Sequence, residues 1–433
     1  MEKINKIIHL FYNLGQFVLL PPLLPFFTIF ALSKEKYKNL FFPRLGFGLY
    51  VPKAKGSKRV WIHTLSLGEF HGATTLIKEI QKEFKNLDII LSASTNSGFN
   101  AIKNSSFSKY CAVIPAPYDI NLVTKKFINY IQPDLFILIE TDIWPNLLWG
   151  LKKSGTKTML INGSISSKAA NTLRKFPFIA NYLYGPFSFI GMQSDDDVKR
   201  LNLLNIKKNV LKIGNIKFDL DLTPISKEEK KALFNEIGFN YYEDKIFIAG
   251  STHHPEEQIC IDVFCSLKEK IPKLKLIIAP RDIKRGDEIK QLCISKGLKS
   301  TLRTEKHKDK TVEILILNTL GELTKFYNIC QLAFVGGSFA PIGGHNILEP
   351  IFLGKPVIFG PHMESFKEIA QTVHEKGAGF MVNSKKDFFK KAHLFLTNQE
   401  ARLKTKEIGS SLIKENRGVV KKYIEIISTL LKK

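Results

Sequence analysis

Residues 334–350 read FVGGSFAPIGGHNILEP. An apolar run leads into two glycine pairs, and the segment then closes on a histidine, an asparagine and a glutamate just before a proline. LAFV, ending at Val335, has the composition of a buried strand, and GGS is the turn at its carboxyl end. HNILEP opens a helix, because Pro350 is tolerated only in a first turn, where its missing N–H matters least. Free backbone N–H groups and a helix dipole meet at such a junction, and glycines let the backbone come close to a ligand, so an anion is expected at Gly337 and Ser338. His345 and Asn346 lie four and three residues before Glu349, so the three share one helix face. A carboxylate beside a phosphate site is suited to accept both hydroxyls of a ribose, which makes a nucleotide the expected ligand. The competing account is that the glycines serve tight packing and Glu349 caps a helix.

Two further segments have the same form. AGSTHHPEE (249–257) runs from a strand into hydroxyl residues and a helix start, where Ser251, Thr252 and His253 could hold a phosphate. IIAPRD (277–282) ends a strand on Arg281, a bidentate phosphate donor. Three strand ends thus mark one cleft-facing edge.

Around these motifs the chain alternates apolar strands with amphipathic helical stretches. RVWIHTLS, DIILSAS, CAVIP, DLFILIE and KTMLIN form one series, and KIFIAGS, KLKLIIAP, EILIL, LAFVGGS and PVIFG form a second. Strands of this type separated by helices imply parallel sheets covered on both faces, here an α/β chain of two doubly wound, Rossmann-like domains facing a cleft. GNIKFDLDLTPIS (214–226) reads as the linker. Its DLD (219–221) has the spacing of a metal-binding carboxylate pair but does not follow a strand that faces a phosphate, and no metal site is expected there. The DDD at 195–197 reads as a helix N-terminus.

The first series supplies carboxylates. Glu69 in WIHTLSLGEF opens a helix after a strand, and Glu140 in LIETDIWPN ends another strand; either could act as a general base. The helix dipole is expected to depress the Glu69 pKa. His63 and Thr141 read as structural.

The chain has 433 residues, 44% of them hydrophobic, with 64 basic against 40 acidic residues and a net charge of +24. This suits a two-domain globular protein with anionic partners. The five cysteines (Cys111, Cys260, Cys265, Cys293 and Cys330) form no CxxC pair, which argues against a disulfide framework or zinc site and for a reduced, cytosolic environment. The segment between Lys6 and Lys34 carries no charged side chain and is long enough to cross a bilayer. Its prolines (Pro21, Pro22, Pro25) leave both a kinked span and a helix lying in the interface open. Lys34, Lys36, Lys38 and Arg44 outnumber Lys3 and Lys6, which places the body on the cytoplasmic side and forms a basic collar for anionic lipid. No nucleic-acid reading motif is present.

Taken together and in this order, WIHTLSLGEF, ETDIWPNLL, GNIKFD, GSTHHPEE, APRD, TLGEL and FVGGSFAPIGGHNILEP, behind an apolar N-terminus, resemble the bacterial 3-deoxy-D-manno-octulosonic acid (Kdo) transferases. The resemblance runs through nearly the whole chain and departs from the family pattern at Asp282, Leu320 and INGSIS (161–166). It implies a GT-B glycosyltransferase that moves Kdo from CMP-Kdo to the lipid A precursor with inversion, at the inner membrane with its catalytic domains on the cytoplasmic face, and it implies neither metal nor other cofactor. Glu69 would be the general base and Glu140 a second functional carboxylate. Ser251, His253, Arg281, Gly337, Ser338, His345, Asn346 and Glu349 would hold CMP, with Gly321 of TLGEL near the cytosine. The implied organisation is a membrane anchor at 1–34, an acceptor-side domain at 35–213, a linker at 214–226, a donor domain at 227–398 and a C-terminal helix at 399–433. Other readings of the residues are a GT-B enzyme using a UDP- or GDP-sugar on a lipid, an epimerase of the same scaffold, or a non-catalytic, membrane-tethered anion-binding module.

Overall fold

A computed structural model describes residues 2–34, 37–54, 58–220, 222–305 and 311–432. Two units divide the chain. The first comprises Met1–Asp219 and Gly418–Lys433, the second Leu220–Arg417.

In the first unit the strands are β1 (Lys58–Thr64), β2 (Leu87–Ala93), β3 (Ala112–Pro115), β4 (Leu135–Ile139), β5 (Lys157–Gly163), β6 (Phe189–Met192) and β7 (Val210–Lys212). They form one parallel sheet in the order 3-2-1-4-5-6-7. Alternation along β1 shows how the sheet is buried on both sides: Val60 and Ile62 join the core beneath the helix Leu67–Glu83, while Trp61 enters the opposite core with Phe127 and Leu147. The strands expected from the sequence all form, and β6 and β7, which are too short for their periodicity to show, extend the sheet.

Residues 399–433 hold two helices, Gln399–Asn416 and Val419–Lys432. The second belongs to the first unit, where Tyr423 is fully buried and its hydroxyl accepts the Asn162 N–H at 3.0 Å. Asp219 of the DLD triplet fixes its start, accepting from Gly418 N–H (2.7 Å) and Val420 N–H (2.6 Å), as a helix cap does. Asp221 lies outside the described residues. Of the DDD triplet, Asp195–Asp197 begin the helix Asp195–Leu203, and the Ser194 hydroxyl accepts the Asp197 N–H.

The second unit repeats the architecture with β8 (Lys245–Thr252), β9 (Leu274–Pro280), β10 (Ser300–Leu302), β11 (Ile314–Ile316), β12 (Leu332–Val335), β13 (Val357–Phe359) and β14 (Phe380–Met381), in the order 10-11-9-8-12-13-14. Both sheets reverse their winding direction beside the first strand, between β1 and β4 and between β8 and β12. In open parallel sheets the crevice at the carboxyl ends of such a pair is where ligands bind.

The N-terminal helix Glu2–Ser33 runs unbroken through Pro21, Pro22 and Pro25 and is long and apolar enough to cross a membrane. The collar expected behind it is smaller than the sequence suggests. Arg44 is only 4% exposed, because its guanidinium donates to the Ala116 (3.0 Å) and Ser94 (3.1 Å) carbonyls and stacks on Tyr118. Lys36 lies outside the described residues, which leaves Lys34 and Lys38 exposed there.

Candidate active site

Glu69 and Glu140 stand at the winding reversal of the first unit, after β1 and β4. Glu69 lies in the first turn of Leu67–Glu83, and its carboxylate accepts the Leu65 N–H at 2.5 Å. Glu140 sits at φ +62°, a left-handed conformation that costs a side-chain-bearing residue energy and is kept where function or packing demands it. Its carboxylate is paired with Lys217 at 3.0 Å and lies 3.4 Å from the Asn162 amide nitrogen.

The expected depression of the Glu69 pKa does not occur. Burial, and then the neighbouring charge of Glu140, push it up to about 8, against the Leu65 N–H and Lys217, which stabilise its anion. One backbone N–H at the helix end does not offset the loss of water around a largely enclosed carboxylate. The result is a carboxyl group that changes protonation near neutrality, as a proton acceptor in catalysis should. Thr141 and His63 are structural. The Thr141 hydroxyl donates to the Ser164 carbonyl at 2.8 Å, and His63 is buried against Phe136, where burial lowers its pKa to about 3.

At the reversal of the second unit, the turn after β12 holds a surprise. Glu256, absent from the sequence-derived site, is fully buried, and its carboxylate accepts from His253 N–H (2.9 Å), Gly337 N–H (2.7 Å), Ser338 N–H (2.9 Å), Phe339 N–H (2.8 Å) and Ala340 N–H (3.3 Å). The anion expected in the cradle at Gly337 and Ser338 is thus the protein's own carboxylate. The Ser338 hydroxyl is likewise turned inward, donating to the Val335 carbonyl (2.6 Å) and accepting from Gly360 N–H (2.9 Å). The glycines answer to this packing: Gly337 takes φ +66°, and a Cβ on Gly336 would lie 2.6 Å from the Glu256 carboxylate. The sequence signal for Glu256 was its place in a first helical turn three residues after His253, a spacing that suits a capping carboxylate.

The other proposed donor residues gather round this locked turn. His253 and His345 stack with parallel rings, their Nε2 atoms 2.8 Å apart. Burial lowers both pKa values, that of His345 to about 4, with Arg281 and His253 adding to the effect on His345. Ser251 sits at φ +54° at the end of β8, and the Arg281 N–H bonds the Thr252 carbonyl at 2.9 Å, holding the exposed Arg281 beside it. The buried Thr252 hydroxyl has no hydrogen-bond partner. Glu349 accepts from Thr324 Oγ1 (2.9 Å) and Asn346 Nδ2 (3.2 Å), and burial raises its pKa. Thr324 joins the TLGEL segment to this group, while Gly321 itself, at φ +84°, stays exposed. Arg303 bonds the next residue, Glu322.

Comparison with known proteins bears on family and fold. Residues 41–220 match the family model for 3-deoxy-D-manno-octulosonic-acid transferase (kdotransferase). The 3-deoxy-D-manno-octulosonic acid transferase of Rickettsia felis is 30% identical over 378 residues, covering 86% of this chain and 79% of that protein. A bifunctional glycosyltransferase/methyltransferase of Fusobacterium nucleatum is 32% identical over 430 residues, or 97% of this chain; the chain spans 64% of its length. Among solved structures, a glycosyltransferase from Rickettsia africae superposes with a TM-score of 0.57 at 14% identity, covering 87% of this chain and 99% of that one, a likeness of fold. The two doubly wound units are of the GT-B type, and at 30% identity to a relative of which it covers 79%, the chain belongs to the 3-deoxy-D-manno-octulosonic acid transferases.

Proposed function

We propose that the chain transfers Kdo from CMP-Kdo to a hydroxyl of the lipid A precursor, with inversion at the anomeric carbon. The observation that carries the mechanism is the placing of Glu69 and Glu140 at the same winding reversal, where burial and the Glu140 charge raise the Glu69 pKa to about 8. Ionised Glu69 takes the proton of the acceptor hydroxyl, whose oxygen bonds to the anomeric carbon as the bond to the CMP phosphate breaks. Glu140, held by Lys217, is a positioning residue whose charge makes Glu69 more basic. On the donor side, Arg281 and the His253–His345 pair stabilise the departing phosphate, Ser251 and Asn346 orient it, and Glu349 accepts the ribose hydroxyls, with Gly321 allowing TLGEL to approach the base. Gly337 and Ser338 serve this site through backbone shape, since their N–H groups are committed to Glu256. The lysines at the ends of the apolar helix and the cation excess support work at an anionic membrane surface, with the catalytic units on the cytoplasmic face of the inner membrane.

Glu69→Gln tests this assignment. The variant should bind CMP as the parent does in calorimetry and lose transfer by about 10²-fold or more. Transfer within tenfold of the parent would remove Glu69 from the role of base.

A further inference from the structure

The N-terminal helix carries a second pattern beneath its apolar composition. His9, Tyr12, Gln16, Leu20, Phe27 and Ala31 recur at steps of three, four and seven, so they form one stripe along nearly its whole length. The structure seats that stripe on the first unit. His9 Nδ1 meets the Tyr182 hydroxyl at 2.8 Å, the Tyr12 hydroxyl donates to Asp119 Oδ2 at 2.9 Å, and the Gln16 amide donates to the Asp119 carbonyl at 2.9 Å and accepts from Asn146 at 3.1 Å. Further along, Phe27 packs edge-on against Tyr118, and Ala31 is buried. The opposite face is apolar and bare, with Phe11 66%, Val18 60% and Ile29 68% exposed.

The docked stretch from His9 to Ala31 covers roughly 33 Å of axis at 1.5 Å per residue, about the full thickness of a bilayer's hydrocarbon core. A spanning helix in this pose would drag the Asp119–Asn146 network into hydrocarbon. Detaching it to span would strip His9, Tyr12 and Gln16 of their partners and place them in lipid, which is costly for every polar group left unpaired. Lysines stand at both ends, Lys3 and Lys6 before and Lys34 and Lys38 after. That charge pattern suits a helix whose two ends meet the headgroups of one leaflet.

We propose that Glu2–Ser33 is an in-plane anchor and not a transmembrane span: its polar stripe stays docked on the first unit, and its bare face sinks into one leaflet of an anionic bilayer. The inference extends the membrane setting of the proposed reaction but rests on the helix's own contacts. It would bring the lipid surface to the unit that carries Glu69 and hold it there without a periplasmic N-terminus.

Two full-length variants, Lys3→Cys and Lys421→Cys, test it by reaction with a membrane-impermeant maleimide, with the parent chain giving the background from its own cysteines. Both ends should react on the same side of the inner membrane, only after it is opened. Reaction of the Lys3→Cys chain in cells with an intact inner membrane, while the Lys421→Cys chain stays protected, would overturn the proposal. So would recovery of the chain mainly in the soluble fraction. Kdo transfer measured on the same membranes reports on the catalytic reading separately, since opposite-side labelling with transfer intact would remove only the anchor.

Discussion

Glu69 should impose an acid limb centred near pH 8 on the pH–rate profile. With a pKa of about 8, roughly a tenth of the carboxyls are ionised at pH 7 and roughly nine-tenths at pH 9, so kcat/KM should rise about tenfold across that interval. Lys217→Met removes a cation that favours the Glu69 anion and leaves Glu140 unpaired, so the limb should move to higher pH, with the high-pH plateau changing less than the rate at pH 7. Stability gives a second readout. The folded pKa lies above the ordinary 4.5, so the folded chain holds this proton more tightly than the unfolded chain does. Wild type is therefore unpenalised below pH 4.5 and loses stability as the pH rises from 4.5 to about 8. At about 1.4 kcal/mol per pH unit, that interval bounds the loss at roughly 5 kcal/mol. Glu69→Gln, which stays neutral, should gain stability over wild type as the pH rises, read by thermal unfolding at pH 5, 7 and 9. A rate profile flat from pH 6 to 9, or a stability difference independent of pH, would refute the argument.

Glu256→Ala removes the acceptor of several buried N–H groups and should destabilise the second unit by about 3–5 kcal/mol in urea unfolding, with nucleotide binding lost alongside. A loss below about 1 kcal/mol would mean that the turn holds itself without the carboxylate. Tyr423→Phe leaves the Asn162 N–H without its partner and should cost about 1–3 kcal/mol, measured by chemical unfolding. Burial holds the His345 pKa at about 4 and that of His63 at about 3, so both rings are neutral at pH 7, and their proton resonances should stay put between pH 8 and 5.5. An inflection near 6.5 in either would contradict the enclosure described here.

The sequence made the two sheets legible because long runs such as DLFILIE and KLKLIIAP are buried on both faces and carry their own signal. β6, β7, β10 and β14 were not visible, since two to four residues settle no period and these strands, at or next to a sheet edge, form only where a neighbour is already in place. The strand ends assigned to the site were legible for the same reason that the strands were, as each motif marks where an apolar run stops. What could not be read was which polar group answers which. The GGS turn looked like an open cradle because nothing in the order of residues shows that Glu256, 80 positions earlier, fills it. The Glu69 pKa was misjudged because the dipole is local and visible, whereas burial and the Glu140 charge come from chain far away in sequence. The stripe on the N-terminal helix lay within a run whose apolar composition was its louder signal.

The central claim meets its most direct test in a transfer assay with the purified full chain in detergent, supplied with CMP-Kdo generated in situ and a tetraacyl lipid A precursor, with the lipid products read by mass. The account predicts a lipid heavier by one or more Kdo units, absent when the nucleotide sugar is omitted. Unchanged lipid from a chain that also fails to bind CMP would contradict it.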